Sequence, residues 1–228
     1  MNMTDNIIKL SPSTISLFME CPRCFWLQFN KNIHRPRGIF PSLPGGMDGV
    51  IKKYYDTYRR QGKLPPEVDG KLTGKLFADE KLLKSWQSNW EGIKYFDKEL
   101  NALMKGVLDD CLVDGDTYIP LDYKTRGYDL KEDSTSYYQH QLDIYCYLLV
   151  KNGYKVANYA YLVYYFPKLV KDNGQVEFNV EPKKVDTDIK HAEQLFKDAV
   201  TCLRGPEPKR HSDSSCEFCN WGFEAFGE

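Results

Sequence analysis

The sequence lacks any run approaching the roughly 20 apolar residues that a helical membrane span needs, so no membrane association is expected. Met1 to Leu10 carries no signal-peptide pattern, and the expected setting is the cytoplasm. Neither charge is in excess. Lys and Arg number 31 against 32 Asp and Glu, a formal net charge of −1. That excludes a strongly basic coat for nucleic acid and leaves room only for a local basic groove. Internal repeats and low-complexity tracts are absent as well. What remains is a chain of 228 residues, 42% hydrophobic and 28% charged, which is a globular composition of ordinary domain size. Its seven cysteines are an odd number without an export signal. They suggest a reducing interior, where paired cysteines serve metals more readily than disulfides.

The chain reads as one domain over 1–228, with a helical part at 1–104, a catalytic sheet and helix at 105–185, and a helix with a cysteine tail at 186–228. Ser11-Pro12-Ser13 can cap a helix through Thr14–Glu20, and Pro22 suits the first turn of another through Phe25–Phe29. His34 to Gly46, rich in proline and glycine, reads as an ordered loop. Helices are expected over Met47–Arg60 and Asp79–Glu91, joined through Gly62–Gly74. Lys105–Val113 and Tyr118–Thr125 read as strands around the hairpin turn Asp114-Gly115-Asp116-Thr117. A helix follows over Ser136–Lys151, then strands Val156–Phe166 and Gln175–Glu181 around Asp172-Asn173-Gly174. A last amphipathic helix spans Thr187–Leu203 and stops at Gly205-Pro206. The pattern is that of a mixed α/β domain.

The hairpin holds the most informative chemistry. A two-residue turn at Gly115-Asp116 sets Asp114 opposite Thr117 and, counting back, Asp109 opposite Asp122. Opposed Cβ atoms lie about 4.5–5.5 Å apart, where two carboxylates repel. Apolar flanks (Val107, Leu108, Ile119, Leu121) would screen that repulsion poorly. A bound Mg²⁺ would offset it. Lys124 shares the face of Asp122 and could orient a water or stabilise charge on a phosphate. The competing reading is a solvated edge hairpin, since D-x-K alone is a weak pattern. On the following helix, Gln141 and Tyr145 lie one turn apart and could hold a DNA phosphate or sugar beside the ion. They could equally be ordinary surface polar residues.

The order G-x-x-D (Gly106–Asp109), D-Y-K-T (Asp122–Thr125) and Q-L-x-x-Y (Gln141–Tyr145) resembles the PD-(D/E)xK nuclease superfamily in its RecB-like branch. Ser13, Leu17, Cys21-Pro22 and Phe25 are similar to that branch's opening helix. The resemblance implies a restriction-endonuclease-like mixed sheet flanked by helices, and a DNA exonuclease or endonuclease dependent on Mg²⁺ or Mn²⁺. Its substrate would be DNA, single-stranded or end-containing, in repair, recombination or CRISPR-related processing, with a helicase or CRISPR-type protein as partner. Asp109 and Asp122 would be metal ligands together with the Tyr123 backbone carbonyl. Lys124 would be the catalytic lysine, with Gln141 and Tyr145 as the accessory motif. Where the branch usually has a histidine ligand, this chain offers Asp48, which could serve as a ligand or as a helix N-cap. The four histidines, His34, His140, His191 and His211, do not fit that position and read as surface residues. That departure keeps a non-cleaving DNA-binding or scaffolding module as the alternative.

Cys21-Pro-Arg-Cys24 and Cys216-Glu-Phe-Cys219 form two CxxC pairs at opposite ends of the chain, spaced so that each pair can reach one metal centre. The resemblance implies a 4Fe-4S cluster here, although the branch arranges one cysteine with three, and this chain two with two. Zn²⁺ suits the same four thiolates, and Cys24 could also be merely packed. Cys111, Cys146 and Cys202 read as small core residues. Arg35/Arg37, Lys52/Lys53, Arg59/Arg60 and Lys124/Arg126 are the basic pairs from which a strand-tracking groove could draw.

Overall fold

A computed structural model describes residues 7–36, 38, 42–131, 133–210 and 216–220. It shows the mixed α/β arrangement expected, with helices on both faces of a curled mixed sheet. Ser11 caps helix α1 (Pro12–Glu20) through a capping box with Thr14, and Pro22 opens α2 (Pro22–Lys31). Helix α3 runs over Ser42–Arg59. It starts earlier than Met47, because Pro44 sits in a first turn whose N–H groups have no partners in the helix to lose. Asp48 therefore lies inside the helix and is not its N-cap.

The main sheet orders its strands as β2 (Lys75–Leu76), β5 (Asp110–Asp114), β6 (Thr117–Thr125), β8 (Tyr159–Val170) and β9 (Val176–Asp186), with the short β7 (Lys155–Val156) pairing in parallel with the start of β6. The hairpin turn has Gly115 at φ 61°, and the β5–β6 register sets Asp114 opposite Thr117 and Asp110 opposite Leu121, as counted from the turn. Helix α5 (Gln139–Lys151) carries the chain from β6 to β8, which pair in parallel. A second sheet joins β1 (Ile8–Leu10), β4 (Ala102–Gly106) and β3 (Ile93–Asp97).

Three expectations need correction. The strand read as Lys105–Val113 is two strands in different sheets, β4 and β5, separated at residues 107–109. The part read as helical through residue 104 also holds β1, β2, β3 and most of β4. Helix α4 (Glu80–Trp86) ends five residues before Glu91, because Trp86 packs inward against Phe77 and the chain then turns into β3.

Alternation along β6 sorts its side chains between two apolar layers. Ile119, Leu121 and Tyr123 face α3, packing with Ile51 and Tyr55. Asp122 and Lys124, on the other parity, face α5, whose Leu142, Tyr145 and Leu148 join a core shared with α6 (Ile189–Arg204). On the α3 face three charged side chains, Asp56, Arg59 and Asp110, are buried together. Asp110, fully buried, accepts hydrogen bonds from Arg59 Nη2 at 2.6 Å, the Tyr123 hydroxyl at 2.7 Å and the Cys111 N–H at 2.7 Å. Arg59 also donates to the Phe77 carbonyl, so it is a structural cation and not part of an open groove. Burial pushes the Asp110 carboxyl upward despite these partners. Arg59→Leu strands that charge and should cost about 3–5 kcal/mol. In a thermal melt this is a fall of roughly 10 °C or more; an unchanged midpoint would show that Asp110 does not need its ion pair.

Candidate active site and a four-cysteine centre

Beyond the last ladder pair of β5 and β6 the chain bends, and Asp109 folds its side chain back over β6. Asp109 Oδ2 accepts the Tyr123 N–H at 3.1 Å. The carbonyl of a strand residue leaves on the same side as its N–H, so the Tyr123 carbonyl also faces past the end of β5. Asp122 is 1% exposed. Its Oδ1 accepts from Gln141 Nε2 at 3.2 Å, and the Lys124 ammonium forms an ion pair at Oδ2, an oxygen that receives no directed hydrogen bond. Lys124 donates to Gln141 Oε1 at 3.1 Å and lies 4.3 Å from the Tyr138 ring centre. Thus Asp109, Asp122, Lys124 and Gln141 come together where β5 stops and leaves an edge of the central strand β6 uncovered.

Tyr145 occupies a different place from the one its spacing suggested. It is 3% exposed, its hydroxyl donating to the Val107 carbonyl at 2.7 Å and accepting from Gln141 Nε2 at 2.6 Å. The phenol fixes Gln141 from behind and offers nothing to a strand in solvent. Gly106 makes this possible: a Cβ there would stand 2.7 Å from Leu148 Cδ1 and 3.2 Å from the Tyr145 ring. The glycine of G-x-x-D is thus the residue that lets α5 approach the sheet.

Asp48 is linked to the site through a residue that sequence reading placed only among the basic pairs. Lys52 Nζ lies 2.8 Å from Asp48 Oδ2 and 2.8 Å from Asp109 Oδ1. The i, i+4 spacing of Asp48 and Lys52 on α3 was the available signal. Gln87 Nε2 was also unforeseen; it holds the Asp109 carbonyl at 2.6 Å. Of the histidines, His140 is half-buried, 2.6 Å from the Ser16 hydroxyl, and burial lowers its pKa. His191 Nδ1 lies 2.8 Å from buried Asp143. Neither is the free surface residue expected, while His34 is exposed and His211 lies outside the described residues.

The four outer cysteines meet. Cys21, the N-cap of α2, lies 3.6 Å sulfur to sulfur from Cys219, and Cys24 lies 3.6 Å from Cys216 and 3.5 Å from Cys219. All four sulfurs stand within 4.8 Å of one another and are buried. Arg35 brings a guanidinium nitrogen to 3.5 Å from Cys216 Sγ and lies over the Phe218 ring. Cys24 is pushed up to about 11 by burial, and Cys216 falls to about 7 because hydrogen bonds from its neighbours outweigh burial. Cys111 and Cys146 are buried core residues, as expected.

The profile of the PD-(D/E)XK nuclease superfamily matches residues 76–222, more than half of the chain. The chain belongs to that superfamily. Among solved structures it is similar to one titled "Crystal structure of SSO0001", at 14% identity and a TM-score of 0.47, covering 99% of this chain and 88% of that one. No curated protein matches it.

The electrostatics of Asp122 have a measurable consequence. Burial, then the neighbouring Asp109, raises its carboxyl to about 7. In the unfolded chain it ionises near pH 4. Below that pH both states are protonated, and between about 4 and 7 the unfolded chain sheds its proton first, so stability is lost as pH rises. In EDTA, urea unfolding should show the wild type losing stability relative to Asp122→Asn across that window and levelling off above it. Parallel profiles for the two proteins would contradict the raised value.

Proposed function

We propose that the chain is a Mg²⁺- or Mn²⁺-dependent deoxyribonuclease of the RecB-like kind, hydrolysing phosphodiester bonds in DNA repair, recombination or CRISPR-related processing. The observation that carries this reading is the convergence of Asp109, Asp122, Lys124 and Gln141, with the buried Asp122 Oδ2 lacking a directed hydrogen bond. Two carboxylates and a carbonyl suit a hard ion, so Asp109, Asp122 and the Tyr123 carbonyl fit one. When bound, such an ion polarises a phosphoryl oxygen and lowers the pKa of water. The Lys124 ammonium, held by Gln141, orients the attacking water and stabilises charge developing on the phosphate. Tyr145 acts through Gln141 by fixing its amide. Exposed Tyr128, beside Arg126, and exposed Tyr137 follow β6 along the chain and give bases of a single strand rings to stack on.

Digestion of labelled single- and double-stranded DNA should therefore depend on Mg²⁺ or Mn²⁺. Lys124→Ala should lower the rate about 100-fold or more while the fold persists. Undiminished cleavage by folded Lys124→Ala would reject the mechanism. A second reading, a nuclease fold that binds DNA without cutting, is favoured by the ammonium of Lys52 seated against Asp109. Tight binding with no turnover under any divalent ion would select it.

For the four cysteines we infer one tetrahedral Zn²⁺. Thiolates at about 2.3 Å from a single zinc stand about 3.8 Å apart, close to the 3.5–3.6 Å of three of the sulfur pairs here, with all four sulfurs within 4.8 Å. A 4Fe-4S cluster gives each thiolate its own iron and so spreads the sulfurs by the width of the cluster, which four sulfurs within 4.8 Å do not accommodate. Metal analysis after anaerobic purification should find one zinc per chain. An ion held at a hundred times its Kd stabilises by about 2.7 kcal/mol, so Cys24→Ser should lower the melting midpoint by roughly 5–10 °C. Iron with sulfide and a brown chromophore would overturn the zinc assignment.

A further inference from the structure

Resting on the reading of this edge as a divalent-ion centre, we propose that Lys52 is its built-in second cation, a positioning residue that limits the centre to one divalent ion. The argument begins with placement. An ordinary i, i+4 pair on an exposed helix contributes little and faces water. Lys52 instead reaches past Asp48 to an acid on another element, with 2.8 Å contacts to both Asp48 and Asp109 and only 17% of its side chain exposed. It joins α3 to the bend before β5 through Asp109 Oδ1.

Acceptor capacity points the same way. Asp109 Oδ2 takes the Tyr123 N–H, Asp109 Oδ1 takes Lys52, and Asp122 Oδ1 takes Gln141. Asp122 Oδ2, buried and without a directed hydrogen bond, faces only the Lys124 ammonium. An ion held by Asp122 and Asp109 would have to displace only Lys124 from Asp122 Oδ2; a second, drawing on Asp109 and Asp48, would also have to displace Lys52 from both. Charge agrees. Asp48, Asp109 and Asp122 against Lys52 and Lys124 leave one negative charge, which a single divalent ion converts to one positive charge. That matches the single negative charge of a phosphodiester. Two ions would leave a large unmatched positive charge in a half-buried site. Asp48 then serves to hold the lysine.

The test uses the purified full chain and counts bound Mn²⁺ by electron paramagnetic resonance and calorimetry, for wild type, Lys52→Ala, Lys52→Arg and Asp122→Asn. The wild type and Lys52→Arg should bind one Mn²⁺, lost in Asp122→Asn. Lys52→Ala, freed of its ammonium, should bind two, the second within about tenfold of the first. Where DNA is cut, the wild-type rate should double with each doubling of subsaturating Mn²⁺. If the alanine variant fails to fold, Lys52→Met keeps the aliphatic stem and reads the same quantity. One Mn²⁺ with unchanged affinity in a folded Lys52 variant would reduce the lysine to a structural salt bridge. Two ions in the wild type, or none, would equally overturn the inference. One ion in the wild type and two in the variant, with no cleavage by either, would sink the nuclease reading and leave this one standing.

Discussion

Asp122 sits on a central strand, covered by α5, with a second carboxylate beside it and almost no access to water. Two like charges there repel through a medium that screens them poorly. Everything around them can be understood as the response. Lys124 neutralises one, Lys52 the other, Gln141 gives an amide N–H to the first, and the Tyr123 backbone gives an N–H to the second. Even so Asp122 remains raised to about 7, which means the protein's own groups do not fully compensate it. A group left in that condition at the edge of a rigid sheet is a reservoir of attraction for a cation.

The geometry depends on a break in the chain as much as on the sheet. If residues 105–113 formed one strand, Asp109 would be held within a ladder and could not fold back over Tyr123. Instead the chain leaves one sheet at Gly106 and enters the other at Asp110, and the three intervening residues supply the site. Val107 gives a carbonyl to Tyr145, Leu108 is buried in the core, and Asp109 turns toward β6 while Gln87 holds its carbonyl. The acid is therefore fixed from the backbone and the core at once, the kind of support that keeps a site within a fraction of an ångström of its working geometry.

This explains which parts were legible in advance. Asp114-Gly115-Asp116-Thr117 has turn chemistry that sets the register as far as Asp110 opposite Leu121, but the ladder stops there, so Asp109 comes to β6 by the bend and not as the strand pair of Asp122 that counting gave. The change of sheet at 107–109 was hidden because apolar residues continue through it and no proline or second glycine marks the switch. Strands β1 and β3 pair at the margin of a small sheet, and their short runs carry little periodicity. Arg59 and Arg60 look alike in sequence, yet one is buried on Asp110 and the other is exposed against Glu80, a difference set by helical phase. Two CxxC pairs reveal that four sulfurs can meet, but not how far apart they stand, and it is that distance on which the proposal of one ion in place of a cluster rests.

The two proposed metal centres are kept apart by donor chemistry. Carboxylates and a carbonyl select a hard ion, thiolates a soft one, so neither centre competes for the other's metal. Their structural burdens differ too. Helix α2 is already tied to the end of α6 without any metal, by Trp26 donating to the Gly205 carbonyl and Asn30 to the Leu203 carbonyl. Cys21 and Cys24 therefore wait on a surface that the core has fixed, and an ion there needs only to fasten Cys216 and Cys219 onto it. The loop such an ion closes spans nearly the whole chain, but most of its closure entropy has been offset by the sheet and the α5–α6 core. The thiolate centre accordingly acts on the hold of the tail, while the carboxylate edge keeps its shape through Gly106, Tyr145 and Gln141, none of which touches a cysteine of the cluster.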